Sequence, residues 1–321
     1  MNILVTGGAG YIGSHVAKAL SKAGHVPTVF DNLEMGHEWA VKWGPFIKAD
    51  LADQGALEAA LRGKDAVVHL AGYIFVGESV KAPSKYYRNN FINSLNLLDA
   101  MTATGVRDVV FSSTAAVYGA PARVPIQEGD PKIPINPYGE SKRFTEQSLE
   151  WYGTAHGIRW LALRYFNAAG ADHDGEIGEM HDPETHLIPL VIDAALRKRG
   201  PVQLFGTDYP TADGTAIRDY IHVADLARAH VLGLEYLRSQ GTPTALNVGT
   251  GSGYSVREVI KTVEQASGLE VPVSVGPRRE GDSPELVADA SRARGVLGWE
   301  PRASSLEEIV ATALAWHKSH R

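Results

Sequence analysis

The sequence contains 321 residues, of which 44% are hydrophobic and 21% are charged, with 33 glycines and no cysteine. This length fits one large domain or two closely packed ones, and the composition is that of a folded globular protein, not of a disordered or fibrous one. The net charge of −6 comes without a basic block, which excludes a typical nucleic-acid-binding surface, and the lack of cysteine excludes disulfides and thiol catalysis and fits a reducing compartment, so we expect a cytoplasmic protein.

Short apolar runs rich in β-branched residues alternate with longer segments of helical period along the first half of the chain. Strands are predicted at residues 3–6, 28–31, 66–70, 109–112 and 160–165. Helices are predicted between them at residues 12–23, 54–61, 87–104 and 138–156. Because crossovers between parallel strands are right-handed and cover both faces of a sheet, this alternation predicts an α/β fold with a doubly wound parallel Rossmann sheet. No stretch approaches the roughly 18 apolar residues that would span a bilayer, so we expect no membrane association.

The chain changes character at the boundary between a first predicted unit, residues 1–167, and a second, residues 168–321. The second unit opens with a polar stretch that contains glycines and histidines, followed by mixed helices and strands. We predict a smaller C-terminal α/β subdomain for substrate binding there. The two units are expected to be interleaved, because the apolar run 246–249 looks like a late strand and segments near 217–250 would return with it to the first unit.

The motif TGGAGYIG, residues 6–13, follows the first predicted strand and opens the first predicted helix. Its glycines fit the G-x-G-x-x-G pattern of dinucleotide-binding loops, in which the backbone approaches a pyrophosphate closely and a helix N-terminus offers free N–H groups. Asp31 stands at the end of the second strand, where a carboxylate binds both ribose hydroxyls and repels a 2′-phosphate. The pattern therefore predicts NAD in preference to NADP, although Asp31 would also begin a turn with Asn32.

A tyrosine and a lysine stand four residues apart in the motif NPYGESK, residues 136–142, and would share one face of a helix. Free tyrosine has a pKa of about 10 and needs a nearby cation to act as a base at neutral pH. Lys142 would supply one cation and an oxidised nicotinamide ring another, which makes Tyr138 a candidate general base. Ser113 and Thr114, at the end of the preceding strand, would add hydroxyls at the edge of the sheet where such folds bind ligands. The alternative is that Tyr138 packs in the core and Lys142 is solvated.

Four motifs together resemble the extended short-chain dehydrogenase/reductase superfamily. They are TGGAGYIG, the strand end at Asp31, FSSTAAVYG (111–119) and PYGESK (137–142). Longer strings narrow the resemblance to the UDP-glucose 4-epimerase family, and the similarity covers nearly the whole chain. These strings are AGYIFVGESV (71–80), RYFNAAGA (164–171), HLIP (186–189), FGTDYPTADGTAIRDYIHVADLA (205–227) and RREGD (278–282).

The resemblance implies NAD-dependent, reversible 4-epimerisation of UDP-glucose and UDP-galactose through a transient 4-keto sugar. Tyr138 would take the proton of the sugar 4-hydroxyl, Thr114 would hydrogen-bond the same oxygen, and Lys142 would hold the nicotinamide ribose. Related dehydratases and decarboxylases typically carry acidic residues where this chain has Ala115 and Ala116, which favours epimerisation. The alternatives are an epimerase for another UDP-sugar, such as UDP-GlcNAc and UDP-GalNAc, and a non-catalytic sensor of NAD or a nucleotide sugar.

The glycine loop, the strand ends and the resemblance together give two sets of expected site residues. The expected cofactor-binding residues are Gly7, Gly10, Tyr11, Ile12, Gly13, Asp31, Asn32, Asp50, Leu51, Leu70, Ala71, Gly72, Asn89, Ser113, Tyr138, Lys142 and Phe166. The expected substrate-binding residues are Thr114, Asn167, His186, Leu187, Gln203, Leu204, Phe205, Arg218, Arg279, Asp282 and Leu286. By resemblance, Phe205 would stack on uracil and Asp282 would bind the uridine ribose. Both arginines would contact the diphosphate, and Asp50 has an alternative role as the N-cap of the following helix.

Two residues depart from patterns found in some epimerases. Ile74 stands where some carry a lysine that would contact the cofactor diphosphate, so we expect NAD to be held less tightly. Leu286 stands where relatives restricted to glucose and galactose carry a tyrosine beside the sugar, so some turnover of UDP-N-acetylhexosamines is expected.

The stretch 172–186 contains three histidines and several carboxylates, but they lack a tight recurring spacing, and we predict no metal site there. The helices predicted from Tyr87 and Tyr138 would carry apolar faces either for a dimer interface or for packing on the sheet. The expected partners are a UDP-hexose substrate and a second copy of the chain in a homodimer, with no nucleic acid and no membrane.

Overall fold

The computed structural model describes residues 1–279 and 282–320, so Glu280 and Gly281 of the motif RREGD lie outside the described residues. The strands are β1 Asn2–Thr6, β2 Val26–Asp31, β3 Phe46–Lys48, β4 Ala66–His69, β5 Asp108–Thr114, β6 Arg159–Tyr165, β7 Asn167–Ala169, β8 Val202–Phe205, β9 Ile217–Arg218, β10 Tyr220–His222, β11 Thr244–Val248, β12 Tyr254–Ser255, β13 Val273–Gly276 and β14 Glu285–Leu286. The α-helices are α1 Tyr11–Lys22, α2 Gln54–Leu61, α3 Val76–Lys81, α4 Pro83–Tyr86, α5 Asn93–Thr104, α6 Pro137–His156, α7 Leu187–Ala195, α8 Val223–Arg238, α9 Val256–Ser267, α10 Ser291–Leu297 and α11 Leu306–His320. A π-helix spans Tyr87–Ile92, and short 3-10 helices span Glu38–Ala40 and Ala115–Tyr118.

Seven parallel strands form the central sheet in the order β11-β6-β5-β4-β1-β2-β3. This order confirms the predicted doubly wound parallel sheet. The late strand is also confirmed, because β11 pairs with β6 in a register that places Leu246 opposite Leu163. The strand predictions omit β3, which is three residues long and lies at the sheet edge with no fully buried side chain, so it presents no buried apolar run.

Hydrophobic clusters cover both faces of the sheet. On one face, α1 and α8 pack through residues such as Val16 and Leu234. On the other face, α2 and α5 pack through residues such as Leu57 and Leu97. Burial on both faces explains why the central strands read as continuous apolar runs and not as alternating ones.

A third cluster lies outside the central sheet. Helices α7, α9 and α11 pack around Ile192, Val259 and Ile309. Three small sheets accompany them, in the orders β10-β7, β12-β9-β14 and β13-β8. They form the smaller α/β part of the fold, and the division at residue 167 stays a prediction.

The helix predicted at residues 87–104 is divided into the π-helix and α5. Within the π-helix, Asn90 accepts a hydrogen bond from the Tyr73 N–H (2.8 Å) and donates one to the Tyr73 carbonyl (2.9 Å). A π-turn inside a helix frequently marks a functional site, and here it fixes the backbone that follows β4.

Helix α6 begins where its sequence predicts. Asn136 caps it by accepting a hydrogen bond from the Gly139 N–H (2.9 Å), and Pro137 occupies the first helical position. A Cβ atom on Gly139 would lie 2.5 Å from the Ala116 carbonyl oxygen, so glycine is required for α6 to approach the end of β5. Tyr138 is thereby held beside the carboxyl edge of the sheet. Among the described residues, no helix is both long and apolar enough to cross a membrane.

Candidate active site

A cavity of about 1940 Å³ lies at the carboxyl ends of the central strands, between the sheet and the smaller α/β part. It is the position at which doubly wound sheets bind ligands. All of the expected site residues line this cavity except Ser113 and Leu204. The fold therefore brings together residues that lie as far apart in sequence as Gly7 and Leu286, and their binding roles stay predictions.

The glycine loop between β1 and α1 is packed too closely for side chains. A Cβ on Gly7 would lie 2.6 Å from the Ala71 nitrogen, and one on Gly13 would lie 2.1 Å from the Gly7 carbonyl oxygen. Gly10 is the N-cap of α1 and provides no side-chain cap, so the first turn keeps N–H groups for an anion. This cradle fits the diphosphate of NAD.

Asp31 ends β2 beside the glycine loop and is buried. Its two carboxylate oxygens accept hydrogen bonds from the Ala9 N–H (3.0 Å) and the Leu33 N–H (2.8 Å). Burial raises the pKa of Asp31, and the two N–H donors oppose that rise. Each oxygen retains a further acceptor site, so the carboxylate suits ribose hydroxyls while it also fixes the loop.

Asp50 lies beside Asn32 on the cavity wall. It accepts a hydrogen bond from the Asn32 amide (2.7 Å) and another from the Ala52 N–H (2.8 Å). The alternative role of Asp50 as a helix cap is wrong, because Asp53 caps α2 by accepting a hydrogen bond from the Ala56 N–H (2.9 Å).

The expected cofactor contact through the Ser113 side chain is not supported, because that hydroxyl points away from the cavity. It donates to Glu146 of α6 at 2.5 Å. Successive strand residues face opposite sides of a sheet, so Ser112 and Thr114 line the cavity instead. The Ser112 hydroxyl is hydrogen-bonded to the Tyr165 hydroxyl.

The same alternation corrects the prediction for Leu204. On β8, Gln203 and Phe205 line the cavity, whereas Leu204 is buried with 2% of its surface exposed. Leu204 is therefore a packing residue and its side chain offers no contact to a ligand.

Tyr138 and Thr114 meet at the centre of the cavity. Burial raises the pKa of Tyr138, and a hydrogen bond with the Thr114 hydroxyl opposes the rise. The Thr114 oxygen itself accepts a hydrogen bond from the Ala116 N–H (3.1 Å), which orients the hydroxyl. Because a donor to the tyrosine oxygen favours phenolate, this arrangement suits a base that works only when further positive charge is present.

Lys142 lies one turn after Tyr138 on α6 and is held by the end of β5. Its ammonium group donates to the Ser112 carbonyl (2.9 Å) and lies 5.0 Å from the centre of the Phe111 ring. Burial lowers the pKa of Lys142 to about 8. The lysine is thus fixed by the strand end, one turn after the tyrosine on α6.

The wall opposite the glycine loop carries the residues expected to bind the nucleotide sugar. Arg218 donates to Asp282 (2.5 Å) and to the Ser283 carbonyl (3.0 Å). The Arg279 guanidinium lies 3.9 Å from the centre of the Phe205 ring. Two forked cations and an aromatic ring in one wall suit a nucleoside diphosphate.

Leu286 lines the cavity beside the sheet end. Together with Phe166 it packs against a buried cluster of Val117, Tyr118 and Ile126. This contact places the position on the apolar side of the site, near the end of β5.

A further group on the cavity wall comes from the stretch 172–186, for which the sequence predicted no metal site. Glu179, His181, Glu184 and His186, which we call the His/Glu quartet, place one donor atom each within 4.8 Å of all the others. Although desolvation opposes it, hydrogen bonding to the two carboxylates raises the pKa of His181 to about 9 and that of His186 to about 10. The prediction of no metal site relied on spacing along the chain, which a folded loop does not preserve. The available signal was the repeated Glu-x-His of GEMHDPETH.

Comparisons with known proteins agree with this geometry. The model of the NAD dependent epimerase/dehydratase family matches residues 3–249. The UDP-glucose 4-epimerase of Rhizobium meliloti is 52% identical over 318 residues, which cover 98% of this chain and 97% of that protein. The structure of UDP-glucose 4-epimerase from Brucella ovis in complex with NAD superposes with a TM-score of 0.96 at 50% identity, over 98% of this chain and 97% of that one. The UDP-Glc/GlcNAc 4-epimerase from Campylobacter jejuni gives a TM-score of 0.87 at 41% identity, over 99% of both chains.

Proposed function

This chain belongs to the NAD-dependent epimerase/dehydratase family, and from that premise we propose that it interconverts UDP-glucose and UDP-galactose by transient oxidation at C4 of the sugar. The observation that carries the proposal is the meeting of Tyr138, Thr114 and Lys142 in one cavity with the glycine loop. The cavity offers a hydroxyl base, a donor to orient it and a cradle for the cofactor, and epimerisation needs these three parts.

Tyr138 takes the proton of the sugar 4-hydroxyl in this scheme. Burial alone keeps its proton in place, and the Thr114 hydroxyl favours the phenolate by donating to it. When bound, NAD supplies the acceptor and later the donor of hydride, together with a positive charge that favours phenolate. Lys142, fixed on the Ser112 carbonyl, would hold the nicotinamide ribose and so orient the ring toward C4.

Inversion requires that the sugar turn while the nucleotide stays bound. Arg218, Arg279 and Phe205 all lie on the wall away from the glycine loop. They would bind the diphosphate and the uracil, and Tyr138 would return its proton after the 4-keto sugar has turned. Return of hydride to the opposite face of C4 would complete the inversion.

The test is whether purified protein with NAD, and with no external reductant, converts UDP-galactose to UDP-glucose. NMR monitors the conversion. Replacing Tyr138 with phenylalanine should lower kcat by about 10² to 10⁴ through loss of the general base, with NAD binding unchanged. The matched control is Tyr152→Phe on the same helix, whose hydroxyl donates to Asp99 (2.5 Å) outside the cavity. If the folded, NAD-loaded protein binds UDP-sugars without converting them, the chain is a sensor and the proposal is wrong.

A second activity, epimerisation of UDP-N-acetylhexosamines, is favoured by Leu286. A leucine at the apolar side of the site takes less room than a tyrosine, and a similar protein is a UDP-Glc/GlcNAc 4-epimerase. Activity on UDP-GalNAc tests this extension, and strict restriction to unsubstituted hexoses would refute it.

The assembly is proposed to be a homodimer in the cytoplasm. Trp151 of α6 is 74% exposed and Ile92 of the π-helix is 45% exposed, so both helices carry apolar side chains outside the core. Light scattering should give a dimer that Trp151→Glu dissociates and that Val275→Glu, at an exposed position on β13, leaves intact. A monomeric wild-type chain would refute the assembly.

A further inference from the structure

The side chains of the His/Glu quartet bring imidazole nitrogens and carboxylate oxygens close together. The Glu179 carboxylate lies 3.2 Å from His181 Nδ1 and 2.8 Å from His186 Nδ1. The Glu184 carboxylate lies 3.0 Å from His186 Nδ1 and 3.8 Å from His181 Nδ1. A tetrahedral Zn²⁺ with bonds of about 2.0 to 2.2 Å requires donors about 3.3 to 3.6 Å apart, so each of these contacts lies within about 0.5 Å of the required spacing.

The chemistry of the donors fits the same ion. Imidazole nitrogen and carboxylate oxygen are both ordinary zinc ligands, and structural zinc sites use four protein ligands. Two carboxylates balance the charge of one divalent cation when the imidazoles are neutral. The side chains of Glu179, His181 and Glu184 are 5 to 9% exposed, whereas that of His186 is 40% exposed and leaves a path from the cavity.

A second cluster in the chain shows what a compensated acidic group looks like. Asp172, Asp174 and Glu176 also place their carboxylates close together. The ammonium group of Lys18 lies 2.6 to 2.8 Å from all three carboxylates and already occupies the position of a cation between them. The carboxylates of the His/Glu quartet contact two imidazoles instead, and imidazoles are themselves zinc ligands once they have lost their protons.

The quartet lies against the glycine loop. The His181 ring packs edge-on against the Tyr11 ring, with centroids 6.2 Å apart, and the Tyr11 hydroxyl donates to the Gly170 carbonyl (2.6 Å). Gly170 and His181 thus both contact Tyr11 in the first turn of α1. A crosslink within the quartet would hold this stretch over the cofactor cradle.

We propose that the His/Glu quartet is a structural site for a divalent metal ion, best suited to Zn²⁺, which fixes residues 179–186 over the first turn of α1. The site is separate from hydride transfer, which the proposed reaction assigns to NAD. It would strengthen the closure of the cradle and would leave the chemical step to Tyr138.

Equilibrium dialysis of the NAD-loaded protein against Zn²⁺ tests the proposal. The protein is prepared without a polyhistidine tag, treated with a chelator and assayed by elemental analysis. We expect one Zn²⁺ per chain, with higher affinity at pH 8 than at pH 6 because the ligands must lose their protons. The melting temperature should rise with added Zn²⁺.

Two ligand variants and one control make the test specific. Glu184→Gln is nearly isosteric, and His186→Gln changes a half-exposed side chain, so at least one should fold; each should weaken Zn²⁺ binding at least about tenfold. His173→Gln removes an exposed histidine that contacts Glu308 (2.9 Å) and should bind as the wild type does. No Zn²⁺ above the background of the chelator-treated protein, or equal binding by all variants, would overturn the proposal, and neither outcome would affect the epimerase assay.

Discussion

Replacing Glu146 with glutamine tests how α6 is held against the sheet. The Glu146 carboxylate accepts from Arg164 Nε (2.8 Å) and Nη2 (2.6 Å), and both side chains are at most 6% exposed. It also accepts the hydrogen bond from Ser113. The variant leaves the Arg164 guanidinium buried without its counter-charge, and breaking such a pair costs about 3 to 5 kcal/mol.

The chain contains a second arginine–carboxylate ion pair that is more exposed to solvent. Asp108 accepts from Arg159 with the same forked geometry, at 2.5 and 2.7 Å, but the arginine side chain is 38% exposed. Asp108→Asn should therefore cost only about 0 to 1 kcal/mol. Because the two ion pairs have the same geometry, the difference between the two losses of stability measures the effect of burial.

Urea denaturation of both variants at pH 7.5 measures the difference. A loss of about 3 kcal/mol corresponds to more than a hundredfold in the ratio of folded to unfolded protein. Adding Arg164→Met to Glu146→Gln should recover part of the loss by removing the unpaired charge. Equal losses for the two single variants, or no recovery in the double variant, would refute the reasoning that burial sets the cost.

Four further outcomes follow from the structure. Burial lowers the pKa of His230 to about 4, below its unfolded value of about 6.5. The contribution of His230 to the free energy of unfolding is therefore fully present above pH 6.5 and is lost as the pH falls. Between pH 7 and pH 5 this loss should be about 2 kcal/mol, and urea titrations of His230→Gln should lack it. Gly139→Ala should displace the start of α6, because the new Cβ would lie 2.5 Å from the Ala116 carbonyl oxygen, and kcat should fall by about a hundredfold. Leu286→Tyr should suppress turnover of UDP-GalNAc and spare UDP-galactose, as steady-state rates on both would show. Ile74→Lys, at the cavity wall, should slow the loss of NAD on dilution, as measured by retained cofactor absorbance.

Matched controls separate these effects from general damage. His156→Gln changes an exposed histidine and serves as the surface control for His230→Gln. Gly55→Ala adds a Cβ in α2 whose nearest neighbour lies 3.5 Å away, and it should be tolerated. A wild-type-like acid slope in His230→Gln, or full activity in Gly139→Ala, would contradict the corresponding prediction.

Local patterns predicted the parts of the site that depend on backbone chemistry. The glycine loop, the strand end at Asp31 and the start of α6 each require particular residues at fixed spacing, and all three are found at the cavity. Side-chain direction was harder to predict on β5, because a strand buried on both faces has no polar alternation to show which of Ser112 and Ser113 faces the ligand.

Tertiary environment accounts for the remaining differences. The pKa of Tyr138 is raised because burial outweighs its donor, and the depth of a side chain is not visible in a four-residue spacing. The His/Glu quartet is compact only because residues 179–186 fold back on themselves. Its residues were visible in the sequence, but their convergence was not.

The position of β11 bears on how the chain folds during synthesis. Within the part of the chain that the structure describes, this strand forms one edge of the central sheet beside β6, although it is made long after β6. Asn247 within it accepts a hydrogen bond from the Tyr118 hydroxyl (2.7 Å) and so ties the strand to the end of β5. Until residues 244–248 leave the ribosome, the nascent sheet exposes the unpaired edge of β6, and such edges promote association with other chains. A chaperone that covers exposed strand edges would therefore act during the interval in which residues 166–243 are translated.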